Sequence, residues 1–293
     1  MTAVQLLQYA LSGITIGSIY AVVAIGFNIT YNATGIINFA QGEFAMLGAM
    51  MAVSFAAYMP LPAAIVAAVG LTALLGALVE LLLIRWLEDT SVLRLIVITI
   101  GLSILLRELA LHVWDEKVRA LPYFSGNETS SIRVLGAFVS PQVLWVLGVT
   151  AAVVVGLTLF FGNTQTGRAM RACSANRVAA TLCGVDARTM VTVSFMLSAA
   201  TGALAGCVIS PMSLTQYDCG TPLAIKGFTA AILGGLGNSS GAVAAGLLIG
   251  VVETLSITVL PSAFKDVVSV GLLLLILVAR PTGLFGGRGR GSG

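Results

Sequence analysis

The sequence predicts an all-α integral membrane protein, a multi-span helical bundle of about eight or nine membrane segments, some of them broken or re-entrant. Three observations carry this. Hydrophobic residues make up 58% of the chain and charged residues only 9%, where a soluble domain carries roughly a quarter charged. Such a surface has to be covered by lipid, and the mean hydropathy of +1.01 agrees. The apolar residues also fall in runs of about 20, the length that crosses a bilayer core as a helix. No run alternates apolar and polar residues over about ten positions, as a barrel strand does.

The runs lie at residues 5–27, 36–58, 62–85, 92–112, 141–162, 189–210, 241–260 and 265–280. A further stretch, 222–236, is shorter and rich in glycine. The first run lacks the basic n-region of a signal peptide, because the first Lys or Arg in the chain is Arg85, and it exceeds the usual short apolar core. It is read as a membrane segment of the mature protein. One domain is expected over residues 1–285, followed by a disordered Gly/Arg tail at 286–293.

Basic loops stay cytoplasmic. The densest basic cluster is Arg168, Arg171, Arg177 and Arg188, opposed only by Asp186, and the tail adds Arg280, Arg288 and Arg290. Placing both inside also places Arg85 and Arg94 inside. The segment after His112 then lies outside, where Asp115, Glu116 and Glu128 dilute its basic residues. If 222–236 crosses, the chain has nine crossings and an external N-terminus; otherwise the parity breaks.

Composition also excludes several functions. The net charge of +3 is small and scattered, and no nucleic-acid motif appears. His112 is the only histidine, which rules out a histidine triad or a multi-histidine metal site. The four cysteines show no CxxC spacing. There is no GxxxxGK[ST] loop, so the chain has no P-loop ATP site of its own. Gly13/Gly17, Gly202/Gly206 and Gly246/Gly250 read as close helix packing within the bundle. No catalytic or metal residue is assigned.

Three local features stand out. In Gly35-Ile-Ile-Asn-Phe-Ala-Gln-Gly42-Glu43, the residues Asn38, Gln41 and Glu43 interrupt an apolar run. Either Glu43 caps a helix end, or the stretch is an intramembrane functional site, since ionisable groups there are costly. In Lys226-Gly227-Phe228 to Gly237-Asn238-Ser-Ser-Gly241, a loosely similar pattern recurs. It suits either a repeated pair of broken helices or a glycine-rich hairpin. Third, the inside loop from Thr166-Gly167-Arg168 to Asp186 reads as an amphipathic helix. It has Ala172, Ala175, Ala179 and Leu182 on one face, Arg171, Ser174, Arg177 and Thr181 on the other, and Gly184 as its stop. So small an apolar face anchors poorly to lipid, and docking of another protein is the better reading.

The stretches Gly35–Gly48, Gly167–Gly206 and Phe228–Gly250 resemble the permease subunits of branched-chain amino acid ABC importers, in particular the shorter, LivH-type permease. The resemblance covers nearly the whole chain. Gly-Ile-Ile-Asn-Phe-Ala-Gln-Gly-Glu is its most specific part, followed by Gly167-Arg-Ala-Met-Arg-Ala, Gly184-Val-Asp186 and Phe195-Met-Leu-Ser-Ala-Ala-Thr-Gly-Ala-Leu-Ala-Gly206. It implies a multi-pass protein of the bacterial inner membrane that moves branched-chain or other hydrophobic amino acids. The implied partners are a second homologous permease subunit, two ATP-binding subunits on the cytoplasmic side and a periplasmic solute-binding protein. No cofactor belongs to this chain, because ATP and Mg would sit on the ATPase subunits. Asn38, Gln41, Glu43 and Asn238 would lie at the translocation pathway or its gate. Segment 163–188 would be the ATPase-coupling loop, with Gly167, Arg168, Arg171, Arg177, Gly184 and Asp186.

Two departures from the family pattern stand out. Ala175 and Asn176 replace an acidic pair, and Gln41 stands where many members carry His, which removes titration near neutral pH at that position. The alternatives are an ion-coupled secondary transporter, for which Glu43, Glu80 and Glu253 are the available carboxylates, and a passive channel for small polar solutes such as urea.

Overall fold

The computed structural model describes residues 3–86, 92–127, 129–134, 137–258, 261, 264–280 and 283–285; the 286–293 tail, with Arg288 and Arg290, and Glu128 lie outside the described residues. The helices are α1 (Ala3–Thr34), α2 (Gln41–Ala56), α3 (Leu61–Val79, extended by a π-helical turn, Glu80–Ile84), α4 (Val92–Trp114), α5 (Pro141–Asn163), α6 (Gln165–Ala175), α7 (Arg177–Leu182), α8 (Ala187–Ile209), α9 (Gly220–Gly234), α10 (Ser239–Ser256) and α11 (Lys265–Ala279). One short antiparallel hairpin, β1 (Ile132–Val134) with β2 (Ala137–Val139), decorates the α4–α5 connection.

Six helical segments are long and apolar enough to cross a bilayer among the described residues: Val4–Thr34, Leu61–Ile84, Leu93–Trp114, Pro141–Asn163, Ala187–Ile209 and Ser239–Ser256. This is the expected all-α membrane bundle. The burial pattern sorts them. From Gly17 to Thr30 every residue of α1 is buried, as for a helix surrounded on all sides. α2, α8, α9 and α10 pack around it. α3, α4, α5 and α11 are peripheral and leave leucine and valine stripes exposed, such as Leu71, Leu74 and Leu78 on α3. These stripes meet acyl chains at no cost.

The glycine pairs do what close packing requires. α1 and α10 run antiparallel with their backbones in contact, so that a Cβ on Gly17 would lie 2.7 Å from the Gly246 carbonyl oxygen. Small residues allow this approach, and in lipid such packing is a main source of helix association.

The ends of the bundle can be told apart by hydrogen bonds. Trp114 Nε1 donates to Ser54 Oγ at 2.7 Å, placing the ends of α2 and α4 together. The loops after α4 and α8 join there too, where Arg119 and Thr215 form an isolated bridge. At the other end, Asn28 Nδ2 donates to the Asn238 carbonyl at 3.1 Å, and Leu284 N–H to the Leu233 carbonyl at 2.7 Å. α9 therefore runs toward the same end as the last turns of α1 and α5. With α9 counted, nine helical segments run along the bundle among the described residues, and the first and last, α1 and α11, both finish at the end where Leu284 meets Leu233.

Two of those nine start partway through. Gln41, the first residue of α2, bonds to Ser198 at the centre of α8, and Glu43 bonds to Ser103 at the centre of α4. The beginning of α2 thus lies at mid-depth, reached by the non-helical residues 35–40. Gly220, the first residue of α9, packs against Gly42 and Glu43. α2 and α9 are half-helices that begin beside each other and run to opposite ends. The apolar runs at 36–58 and 222–236 are therefore interrupted elements, as their polar and glycine content suggests.

Candidate functional site

The half-helix junction gathers three of the expected residues. Asn38 is buried, and its Oδ1 accepts from Ala40 N–H at 3.1 Å, closing a local turn that launches α2. Gln41 is fully buried. Its Nε2 donates to the Ser198 carbonyl at 2.9 Å, and its Oε1 accepts from the Ser198 hydroxyl, which also donates to the Gly26 carbonyl at 2.9 Å. One glutamine thereby ties α2 to α8 beside α1.

Glu43 is also fully buried. Its Oε1 accepts from Ser103 Oγ of α4 and Thr221 Oγ1 of α9, both at 3.0 Å. A Cβ on Gly220 would collide with the carboxylate, so only glycine fits at the start of α9. The N-terminal ends of α2 and α9, each carrying free N–H groups and partial positive charge, converge on this one side chain. Among the described residues, Glu43 Oε2, Asn38 Nδ2 and Asp218 Oδ1 are buried without a hydrogen-bond partner. Buried orphans of this kind are rare enough to mark a site.

Asn238 is not part of this cluster. It sits beyond the far end of α9, roughly 22 Å of helix away at 1.5 Å per residue. There it caps α10: its Oδ1 accepts from Gly241 N–H at 3.0 Å, and its Nδ2 donates to the Phe285 carbonyl at 2.9 Å.

Sequence reasoning missed the hydroxyl partners Ser103, Ser198 and Thr221. Their only signal was a polar residue within an apolar helix. It also missed a buried ion network: Lys226 of α9 bonds to Glu253 of α10 at 2.9 Å and to Asp266 of α11 at 2.8 Å, with Ser269 at 3.0 Å from the same ammonium group. Glu253, considered as an ion-coupling carboxylate, is thus tied to a lysine. Glu80 accepts from Thr192 Oγ1 at 2.6 Å.

The connection between α5 and α8 is two helices. Asn176 is extended (φ −158°, ψ 104°) and its Oδ1 caps α7 through Ala179 N–H at 3.0 Å, so the helical register restarts there. The small apolar face read from the sequence, with Ala172, Ala175, Ala179 and Leu182, is exposed. Gly167, Met170, Cys173 and Ala180 are the buried residues of this pair. Gly167 N–H donates to Thr164 Oγ1 at 3.0 Å, and Arg168 reaches back to the Asn163 carbonyl at 3.1 Å. Arg171 and Arg177 are exposed on α6 and α7, and Arg171 also lines a cavity between α6 and α1, α5 and α10. Gly184 adopts φ +84°, with Gly184 N–H bonded to the Thr181 carbonyl and Val185 N–H to the Ala180 carbonyl, each at 3.0 Å. This is a Schellman cap. Asp186 then caps α8, accepting from Arg188 N–H at 3.0 Å and Thr189 N–H at 3.3 Å. The Thr189 hydroxyl, more than any other group, holds the Asp186 carboxyl below the usual aspartate range.

Residues 9–277 match the family model described as "Branched-chain amino acid transport system / permease component". The chain is 35% identical to the high-affinity branched-chain amino acid transport system permease protein BraD of Pseudomonas aeruginosa, over 96% of this chain and 95% of that one. It is 32% identical to the corresponding LivH protein of Escherichia coli K12, with the same coverage. A probable LivH of Methanocaldococcus jannaschii is 29% identical over 92% of this chain and 89% of its own length. A multi-pass helical bundle that carries this match along nearly its whole length belongs to the permease component family of branched-chain amino acid transport systems.

Proposed function

We propose that the chain is the membrane-spanning permease of an ABC importer in the bacterial inner membrane, passing branched-chain or other hydrophobic amino acids. A second homologous permease would complete the pathway, a periplasmic binding protein would deliver solute, and two ATP-binding subunits would dock on segment 163–188. ATP and Mg would be held there and not by this chain. Residues 1–285 act as one domain in this reading.

The observation that carries it is the exposed surface of α6–α7. Val178 is 71% and Leu182 84% exposed, on a helix pair fixed at each end by a side-chain cap and a glycine stop and surrounded by Arg171 and Arg177. Large apolar groups held rigidly on a basic, solvent-facing ledge suit a protein partner. The half-helix junction suits a gate. Asn38, Gln41 and Glu43 hold α2 against α8, α4 and α9 at mid-depth, so rearrangement there would change the route through the bundle. Asn238, beyond the far end of α9, would hold the start of α10 against Phe285.

The test is co-expression with ATPase subunits encoded beside the gene. Leu182→Asp places a charge in the proposed interface and should abolish ATPase co-purification and amino acid uptake while the permease remains in the membrane. Uptake by the reconstituted chain alone, without ATP, would instead favour a secondary transporter or channel.

A further inference from the structure

A cavity of about 590 Å³ opens between α1, α5, α6 and α10 at the end of the bundle that carries α6–α7. That volume lies within the about 300–1,000 Å³ range of ligand clefts. Its walls are sorted by depth. Ile25, Val154, Leu157 and Val243 line the part nearer mid-bundle, while Arg171, Ser174 and Ser240 lie at the mouth. From Ile25 to Ala33 along α1, the cavity runs roughly 12 Å at 1.5 Å per residue.

The mouth carries one cationic side chain, Arg171. Among the described residues no carboxylate lines the cavity. Arg171 forms no ion pair or hydrogen bond among the described residues, whereas the nearby Arg168 is bonded to the chain. α10 begins here: its Asn238 cap serves Gly241 N–H, and Ser239 and Ser240, in the first turn at the positive end of the helix, line the cavity. α5 and α10 close on α1 from either side, and α5 is a peripheral helix with one face open to lipid.

We propose that this crevice binds one anionic phospholipid, its phosphate at Arg171 and the start of α10 and one acyl chain along the Val154–Leu157 wall. The segregated shape decides between occupants: a free phosphate would leave the apolar depth unfilled, and a neutral lipid would leave Arg171 and the helix end uncompensated. Met170 of α6 is buried against the same wall, so the lipid would form part of the seat of α6. Arg171 also belongs to the segment proposed to seat the ATPase subunits, so retention is read with and without them.

The test uses the full-length protein, alone and with co-expressed ATPase subunits, offered equimolar phosphatidylglycerol and phosphatidylcholine and read by native mass spectrometry. Phosphatidylglycerol should be retained about fivefold or more over phosphatidylcholine, as expected for one basic contact. Arg171→Gln should bring the ratio near one, while Arg177→Gln, outside the cavity, should leave it unchanged. Thr158→Trp, at an exposed position on the cavity wall, should lower retention of both lipids. Equal retention of the two lipids, or an unchanged ratio in Arg171→Gln, overturns the proposal. So does displacement of the lipid by inorganic phosphate alone, or a complete transporter that holds no phosphatidylglycerol, since the crevice would then be an ion site or a subunit contact.

Discussion

Glu43, in the first turn of α2, accepts a 3.0 Å hydrogen bond from the hydroxyl of Thr221, the second residue of α9. Two half-helices 178 positions apart in the chain are thereby joined at their starting ends, at mid-depth, by one carboxylate that also holds α4 through Ser103. Movement of α9 relative to α2 has to break or re-form this contact.

Glu43→Gln tests it. The amide keeps one acceptor oxygen and loses the charge. Charge-assisted hydrogen bonds exceed neutral ones by about 1 kcal/mol each, so amino acid uptake should fall roughly tenfold at matched membrane level. Asn38→Ala removes one neutral bond and should be milder. Wild-type uptake by the glutamine variant, measured with radiolabelled solute in cells, would reduce Glu43 to a tolerated polar residue.

The Lys226–Glu253 pair is almost enclosed, with side-chain exposures of 10% and 7%. Lys226→Met strands Glu253 and should cost about 3–5 kcal/mol, the usual penalty for breaking a buried pair. Glu253→Gln should cost less, because Asp266 still faces the ammonium group. The double variant should recover part of the loss. Melting temperatures in detergent give the order, and additive single effects would rule out coupling.

Gly184→Arg should uncouple ATPase from permease without unfolding the bundle. Nothing lies within 4 Å of a Cβ at this position, so the cost is the left-handed backbone, about 1–2 kcal/mol for a residue with a side chain. Co-purification and ATP turnover should fall while the permease level holds. Normal uptake with full ATPase association would sink the coupling role.

Cysteine labelling tests topology. Cys183 is exposed and Cys173 buried. An impermeant maleimide should label Cys183 from the cytoplasmic face only, with Cys173 reacting far more slowly. Labelling of Cys183 from outside intact cells would invert the orientation.

The Asp186 cap makes a pH-dependent helix start. Its carboxyl sits below the ordinary value of 3.8, chiefly through the Thr189 hydroxyl. A lowered folded-state pKa means that the cap contributes fully above the unfolded value and is lost as pH falls through the folded one. Hydrogen-exchange protection at Arg188 and Thr189 should hold at and above the ordinary value of 3.8 and be lost only as pH falls below it. Thr189→Val should move that loss upward in pH. Protection that is flat to pH 2 would remove Asp186 as the cap.

The inside loop shows where sequence reading stops. A single helical period drawn through residues 166–184 gives one continuous helix, yet Asn176 breaks it and restarts the register. An asparagine is compatible with either a helix interior or a cap, and the packing of Met170 and Cys173 against the bundle selects the cap. Gly184 and Asp186 were legible because a glycine stop and an aspartate cap depend only on neighbouring backbone groups.

By itself, the sequence determined the solvent this protein lives in, the place of its long apolar segments, and the polar interruptions at Asn38–Glu43. Each follows from local composition, since a bilayer admits backbone only as closed helices or where protein satisfies it. Only the tertiary structure decided that Glu43 meets Thr221 and Ser103, that Lys226 meets Glu253, and that Asn238 lies a helix length from Glu43. Those pairings depend on how helices far apart in the chain cross and at what depth they start. Glycine contacts between backbones set that geometry, and nothing in the local period of either partner encodes it.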